Sequence, residues 1–285
     1  MESIRKTLNR YDVHPRKRFG QCFLEDQNMI RRIAALAEVR EGETVVEIGA
    51  GLGLLTAELA RNAAQVIALE IDPRLVSALR DRFAGNARVS IVPGDVLTYD
   101  FSSASPGGTV KVVGNIPYHI STPILFRLFE YRRSISTMVL MLQKELADRI
   151  MAPPGNKVYG IPSVLIGRYA STVREMNVPA TCFYPEPGVI SSVLRIVPRE
   201  DQVPPEEEAL FSRTVRAAFA QRRKTLWNNL RAAGFPETLL ESVLANTGIQ
   251  GARRAETLTV EEFSLLTREL AATGAGKTLD NRRGI

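Results

Sequence analysis

A chain of 285 residues with 45% hydrophobic residues can bury a core of one large domain, or one large and one small. No apolar run approaches the ~18 residues of a membrane span, and MESIRKTLNRYDVHPRKRFG lacks the apolar stretch of a secretory signal, so neither membrane nor export is expected. Two cysteines and two histidines without ligand spacing argue for a reducing, cytoplasmic setting and no metal, and a net charge of +6 is compatible with nucleic acid without establishing it.

Residues 1–18 are polar and basic and read as only partly ordered. Phe19 to Leu24 precede Asp26, an N-cap for a helix over Gln27 to Glu38 with Ile30, Ile33, Ala34 and Ala37 at helical spacing. Phe19, Phe23 and Leu24 form either a packing staple for that helix or a lid over a ligand. Thr44 to Ile48 is a β-branched run that reads as a buried parallel strand. Gly49, Gly51 and Gly53 alternate before a helix over Leu54 to Asn62. A glycine turn between strand and helix lets backbone approach a ligand closely. The spacing is G-x-G-x-G rather than the dinucleotide G-x-G-x-x-G, which suits a nucleoside without a pyrophosphate.

A second strand, Gln65 to Leu69, ends at Glu70, either a ribose acceptor or an acid serving the helix that Asp72-Pro73 begins. A third, Val89 to Val92, ends at Gly94-Asp95-Val96, where Asp95 either accepts from an adenine amine or makes a turn. A loop over Ser102 to Gly108 leads to a fourth strand, Val110 to Val113, and so to Asn115-Ile116-Pro117-Tyr118. Pro117 fixes its own φ and pushes Ile116 toward an extended conformation. Acceptors beside an aromatic face suit a planar amine; the alternative is a plain strand-to-helix turn before a helical stretch at Thr122 to Phe129. Gly49, Glu70, Asp95 and Asn115 thus each follow the carboxyl end of one of four successive strands, and in an open parallel sheet those ends share the edge where ligands bind.

Thr137 to Leu142 is a fifth apolar run, leading into a helix over Lys144 to Ile150. Pro153-Pro154-Gly155 and Gly160-Ile161-Pro162 bracket an expected mobile loop. Ser163 to Ala170 fits helix or strand, Thr172 to Val178 a strand, and Ser191 to Val197 an alternating strand. Between them, Phe183-Tyr184-Pro185-Glu186-Pro187 makes a rigid turn that either presents Phe183 to a planar base or closes a hydrophobic corner. A charged, proline-containing stretch from Pro198 marks a boundary between a domain at 1–198 and a small helical one at 199–285. The latter has helices over Ala209 to Ala220, Pro236 to Leu244 and Val260 to Ala272. Basic points lie at Arg16-Lys17-Arg18, Arg31-Arg32, Arg132-Arg133, Arg222-Arg223-Lys224 and Arg253-Arg254; any one alone reads as a solvated face.

Several of these segments together resemble the rRNA adenine N6-dimethyltransferase family: Arg18-Phe19-Gly20-Gln21-x-Phe23-Leu24, Glu47-Ile48-Gly49-x-Gly51, Asp95, Gly114-Asn115-Ile116-Pro117-Tyr118 with Ile120-Ser121-Thr122-Pro123, and Phe183-x-Pro185-x-Pro187-x-Val189-x-Ser191. Gln221-Arg222-Arg223-Lys224-Thr225-Leu226 and Arg254-Ala255-Glu256 extend the resemblance to its small-subunit (KsgA) branch, over roughly residues 16 to 270. The resemblance implies an α/β, Rossmann-like class I methyltransferase domain with a mostly parallel sheet, a small all-α C-terminal domain, and S-adenosyl-L-methionine as cofactor. It implies that Cys22, Leu24, Gly49, Gly51, Glu70, Ile71, Asp95, Val96 and Asn115 border the cofactor. Asn115, Ile116, Pro117, Tyr118 and Phe183 would hold the target adenine, and Arg16, Lys17, Arg18, Arg222, Arg223 and Lys224 would contact RNA. The implied substrate is N6 of two adjacent adenosines near the 3′ end of small-subunit rRNA, presented in a pre-small-subunit particle to a monomeric enzyme. Alternatives are a macrolide-resistance-type methyltransferase of large-subunit rRNA, a DNA adenine methyltransferase, and an assembly factor whose methylation is secondary. The chain departs from the family at Cys22, where Asn or His is usual, and at His119, where Asn is frequent; cysteine is a poor hydrogen-bond partner.

Overall fold

The computed structural model describes residues 4–15, 22–63, 65–199 and 204–273. The chain divides into two compact units, Met1–Ala147 with Ser171–Pro198, and Asp148–Ala170 with Arg199–Ile285. This differs from a single cut at 198/199: the segment between the fifth and next strands belongs with the helices.

The first unit is built on seven strands, β2 Thr44–Ile48, β3 Gln65–Glu70, β4 Val89–Pro93, β5 Val110–Asn115, β6 Ile135–Gln143, β7 Ala170–Val178 and β9 Ser191–Pro198. Their order is β4-β3-β2-β5-β6-β9-β7. The first five are mutually parallel, and β9 runs antiparallel to β6. The chain moves outward from β2 to β4, then returns to place β5 on the other side of β2. That reversal between β2 and β5 is a topological switch point, where the carboxyl ends of the strands open a crevice. Two two-residue strands, β1 Phe23–Leu24 and β8 Phe183–Tyr184, pair antiparallel beside it.

Helices cover the sheet because their apolar faces match it. Helix α2 (Gln27–Leu36) starts where Asp26 accepts from the Asn28 and Met29 N–H groups, each at 2.9 Å. It buries Ile30 and Ile33 with Leu55 and Leu59 of α3 (Leu54–Leu59) against Val45, Val66, Val113 and Val139 of the sheet. Each such side chain contributes roughly 1.5–3 kcal/mol. Helix α4 (Pro73–Arg82) begins at the Asp72 cap and packs Leu79 on Ala50 and Ala68. Helix α5 (Ser121–Glu130) follows Asn115-Ile116-Pro117-Tyr118, one residue longer at each end than its sequence pattern predicts. The N-terminal stretch is more structured than expected: α1 (Ile4–Arg10) buries Ile4 and Leu8 with Phe23, Leu52 and Leu75.

The second unit contains α7 (Ile161–Tyr169), α8 (Pro205–Ala218), α9 (Leu226–Ala232), α10 (Glu237–Thr247) and α11 (Val260–Ala272), while α6 (Lys144–Ile150) straddles the division. The ambiguous stretch at 163–170 is helical, ending where Ala170 turns extended. Helix α11 is fixed at its start by a capping box between Thr259 and Glu262. The loop expected to be mobile is tied down. Tyr159 is buried with its hydroxyl donating to the Leu258 carbonyl at 2.9 Å, and the Gly155 N–H donates to the Glu256 carbonyl at 2.7 Å. Among the described residues no helix is long and apolar enough to cross a membrane.

Candidate active site

A cavity opens at the switch point, lined by residues from the ends of β2, β3, β4 and β5 and by β1. The turn after β2 needs its glycines. Gly49, Gly51 and Gly53 all have positive φ, at 69°, 58° and 73°. A Cβ at Gly51 would lie 3.3 Å from the Phe23 ring, and one at Gly53 would collide with Phe83 at 2.5 Å. Glu70, 5% exposed, braces this turn. Its Oε2 accepts from the Gly51 N–H, and its Oε1 from the Ile71 and Asp72 N–H groups, each at 2.9 Å. Burial raises the Glu70 carboxyl from its ordinary range, and the three N–H donors oppose that rise. Ile71, 51% exposed, offers an apolar surface beside it. Asp95 accepts from the Leu97 N–H through Oδ1 at 2.9 Å, and its Oδ2 has no hydrogen bond among the described residues.

The segment at the end of β5 is held at four points. The Asn115 amide nitrogen donates to the Cys22 carbonyl at 2.8 Å, and the Ile116 N–H donates to the Met141 carbonyl at 3.0 Å. The Ser121 hydroxyl donates to the Pro117 carbonyl at 2.9 Å, and the Tyr118 and Ser191 hydroxyls share a hydrogen bond of 2.7 Å. A carbonyl only accepts, so Cys22 decides which way the Asn115 amide faces: nitrogen toward Cys22, oxygen left as an acceptor. At Cys22, where the sequence departs from the pattern it resembles, the contact to Asn115 is therefore made by backbone. Burial pushes the Cys22 thiol up, keeping it neutral. Burial also raises the Tyr118 phenol, which stays neutral despite the Ser191 bond. His119 is exposed.

Residues 13–272 match the family described as ribosomal RNA adenine dimethylase. The chain belongs to that family. It is 47% identical to the ribosomal RNA small subunit methyltransferase A of Syntrophus aciditrophicus (strain SB), across 95% of this chain and 99% of that one. It is also 47% identical to the protein of the same name from Moorella thermoacetica, across 90% and 92%. Among solved structures it resembles a dimethyladenosine transferase from Plasmodium falciparum, with TM-score 0.77, 26% identity and coverage of 88% and 98%. It also resembles the 23S rRNA methyltransferase ErmE, with TM-score 0.69, 28% identity and coverage of 87% and 99%.

In this adenine dimethylase, Cys22, Leu24, Gly49, Gly51, Glu70, Ile71, Asp95, Val96 and Asn115 all border one cavity, together with Ile116, Pro117 and Tyr118. Phe183 does not. It is 3% exposed and packs with Leu24, Val178 and Val193, so its ring offers no open face to a base. The reason is pairing: β8 lies on β1 in a register that sets Phe183 opposite Leu24, which the turn sequence does not reveal.

Two further residues, which the sequence offers only as members of motifs and without a role, shape the site. Glu47, in the middle of a β-branched strand, is 2% exposed and accepts from the Thr56 hydroxyl. Burial pushes its carboxyl up to about 8, with the Glu70 charge adding to the effect, so it is mostly protonated at neutral pH. A glutamate inside an apolar strand was the available signal. Ser191, fully buried, anchors Tyr118 from 73 residues away, and no local pattern points to that.

The basic residues divide. Arg16, Lys17 and Arg18 lie outside the described residues. Arg222 is a clamp rather than an open cation: its guanidinium donates to the Lys157 carbonyl and to Glu256 at 3.2 Å, holding the 153–160 loop. Arg253 forks onto both oxygens of Glu262. Arg223 and Lys224 are exposed and form no ion pair among the described residues.

Proposed function

We propose that this enzyme uses S-adenosyl-L-methionine to dimethylate N6 of two adjacent adenosines near the 3′ end of small-subunit rRNA. The observation that carries the reading is the Asn115 amide, whose nitrogen is spent on Cys22 and whose oxygen remains an acceptor beside Tyr118. The cavity fits the cofactor on its own terms. It has a glycine turn open to close approach, an unpaired Asp95 oxygen suited to an adenine amine, and the exposed Ile71 to cover a base. Glu70 has acceptor capacity left on Oε2 for a ribose hydroxyl, since a carboxylate oxygen takes two donors and only Gly51 uses this one. Gly49, Leu24, Cys22 and Val96 complete the walls. When bound, the cofactor supplies an electrophilic methyl group on a sulfonium.

The protein's own residues address the weakness of the nucleophile. The N6 lone pair of adenine is delocalised into the ring. In the first transfer Asn115 Oδ1 and the Ile116 carbonyl accept the two amine hydrogens, and in the second one of them accepts the single hydrogen that remains, which favours a pyramidal nitrogen with its lone pair available. The Tyr118 ring, fixed by Ser191, stacks on the base and orients it. Positioning of this kind is worth up to roughly 7–11 kcal/mol. No strong base is required, because the N6 proton of the alkylated amine is acidic and leaves to water.

The sheet unit carries this chemistry and the helical unit engages RNA through Arg223 and Lys224, with Arg16, Lys17 and Arg18 as further contacts. The enzyme works as a cytoplasmic monomer on a pre-small-subunit particle. Labelled S-adenosylmethionine offered with small subunits, large subunits and protein-free rRNA, followed by mapping of modified bases, tests the reading. Label on two adjacent adenosines near the 3′ end of small-subunit rRNA is expected; label confined to large-subunit RNA overturns it.

A further inference from the structure

We propose that Arg168, Arg199 and Arg268 of the helical unit form a phosphate subsite that holds the backbone of the RNA substrate. The three side chains line one groove of about 270 Å³ with Val260, Glu261 and Ser264. Three separate stretches of chain meet there for packing reasons. Helices α7 and α11 touch at Gly167, where a Cβ would come within 3.2 Å of the Val260 side chain. That contact sets Arg168, the next residue, against α11. Val260, Ser264 and Arg268 follow one another at intervals of four and so share one face of α11. Arg199 is brought in by its own backbone, whose N–H donates to the Tyr169 carbonyl at 2.8 Å.

The chemistry of the groove selects an anion. Arg199 and Arg268 line it with one carboxylate, Glu261, which leaves an excess of one positive charge before Arg168 is counted. The Ser264 hydroxyl spends its proton on the Val260 carbonyl at 2.8 Å, so the available donors are those of Arg199 and Arg268. Arg199 and Arg268 form no ion pair among the described residues, unlike the clamps Arg222 and Arg253 of the same unit. Arg168 is steadied from the apolar side, its guanidinium lying 5.7 Å from the Tyr169 ring centroid and 5.9 Å from that of Phe211. Guanidinium groups match phosphate oxygens in a fork geometry. No aromatic face lines the groove to take a base, so a phosphodiester fits it better than a free nucleotide. The proposal rests on the rRNA reading above and adds a contact outside the predicted basic clusters.

The test uses the full-length enzyme with Arg199→Gln and Arg268→Gln together, leaving Arg168 in place because it packs on two rings. Affinity for a protein-free transcript of the 3′ part of small-subunit rRNA, and for intact small subunits, is measured against salt concentration. Losing two phosphate contacts lowers the slope of log affinity against log salt by about 1–2 and weakens binding roughly tenfold or more. Calorimetric binding of S-adenosylmethionine stays as in the wild type. Arg268→Lys, which keeps the charge, retains the slope that Arg268→Gln loses, separating a charge effect from misfolding. Unchanged slope and affinity in the double variant overturn the proposal. A loss seen only on intact subunits also overturns it, by assigning the groove to a ribosomal protein. Wild-type enzyme that shows no salt-dependent binding to either RNA removes the rRNA reading itself.

Discussion

At the switch point of the sheet unit, polar side chains are scarce, and three of them are held by backbone. Glu70 takes three N–H groups, Asp95 takes one, and Asn115 gives its nitrogen to a carbonyl. In the helical unit cations are plentiful, and neighbours in sequence do different work. Arg222 closes on Glu256 and a loop carbonyl while Arg223 beside it stays open, and Arg253 braces the start of α11. A site for a small, neutral amine depends on where a few lone pairs point, so it requires rigid partners. A surface for a polyanion depends on the sum of charges, so it tolerates mobile ones. Residue type therefore says much about the first region and little about which member of a cluster serves the second.

The contrast is sharpest at Asn115. Asn115→Ala removes the aimed acceptor and should lower methyl transfer at saturating cofactor by about 10²–10³-fold, as loss of one preorganised transition-state partner does, with the protein still folded. Labelled-methyl transfer beside calorimetry reads both. Activity near wild type with an intact fold would remove the amide from the mechanism.

A pH series probes how far burial dominates the sheet unit. Because the folded-state carboxyl of Glu47 is raised to about 8, the folded protein holds a proton that the unfolded chain releases near its ordinary pKa of about 4.3. The resulting stabilisation is complete below that ordinary value, declines as pH rises, and is gone above about 8. Glu47→Gln mimics the neutral form, so its denaturation midpoint should overtake that of the wild type as pH rises. The gap should grow to on the order of a few kcal/mol. Parallel stability profiles for the two proteins would mean that the carboxyl is solvated after all.

The Ser191 bond to Tyr118 tests whether the aromatic wall is positioned or merely present. Ser191→Ala forfeits a net ~0.5–1.5 kcal/mol, about 3–10-fold in kcat, without altering cofactor binding. Tyr118→Phe should reproduce that loss, and the double variant should add nothing further; additive losses would separate the two residues. The smallest effects distinguish the two neighbours in the helical unit. Arg222→Gln should cost about 1 kcal/mol or less of stability, since its partner Glu256 is partly exposed, and should leave the salt slope of RNA binding intact. Arg223→Gln should leave stability alone and reduce that slope by roughly 0.7–0.9. Equal behaviour of the two variants would erase the distinction between clamp and contact.

Local pattern was enough for the strands β2 to β6, the Asp26 and Asp72 caps, the glycine turn, and the convergence of Gly49, Glu70, Asp95 and Asn115. Hydrophobic periodicity, capping chemistry and positive φ act within a few residues, and the parallel-sheet rule carries them to one edge. Where partners are distant in sequence, only tertiary structure decided. Pairing of β1 with β8 buried Phe183, the Cys22 carbonyl turned the Asn115 amide, Ser191 reached Tyr118, and packing at Gly167 gathered three arginines from three segments. Each of those outcomes depends on a contact between residues far apart in the chain, which no local pattern encodes. The sequence by itself thus determined which chemical groups reach the sheet edge, and the fold determined which of their atoms are left free to act.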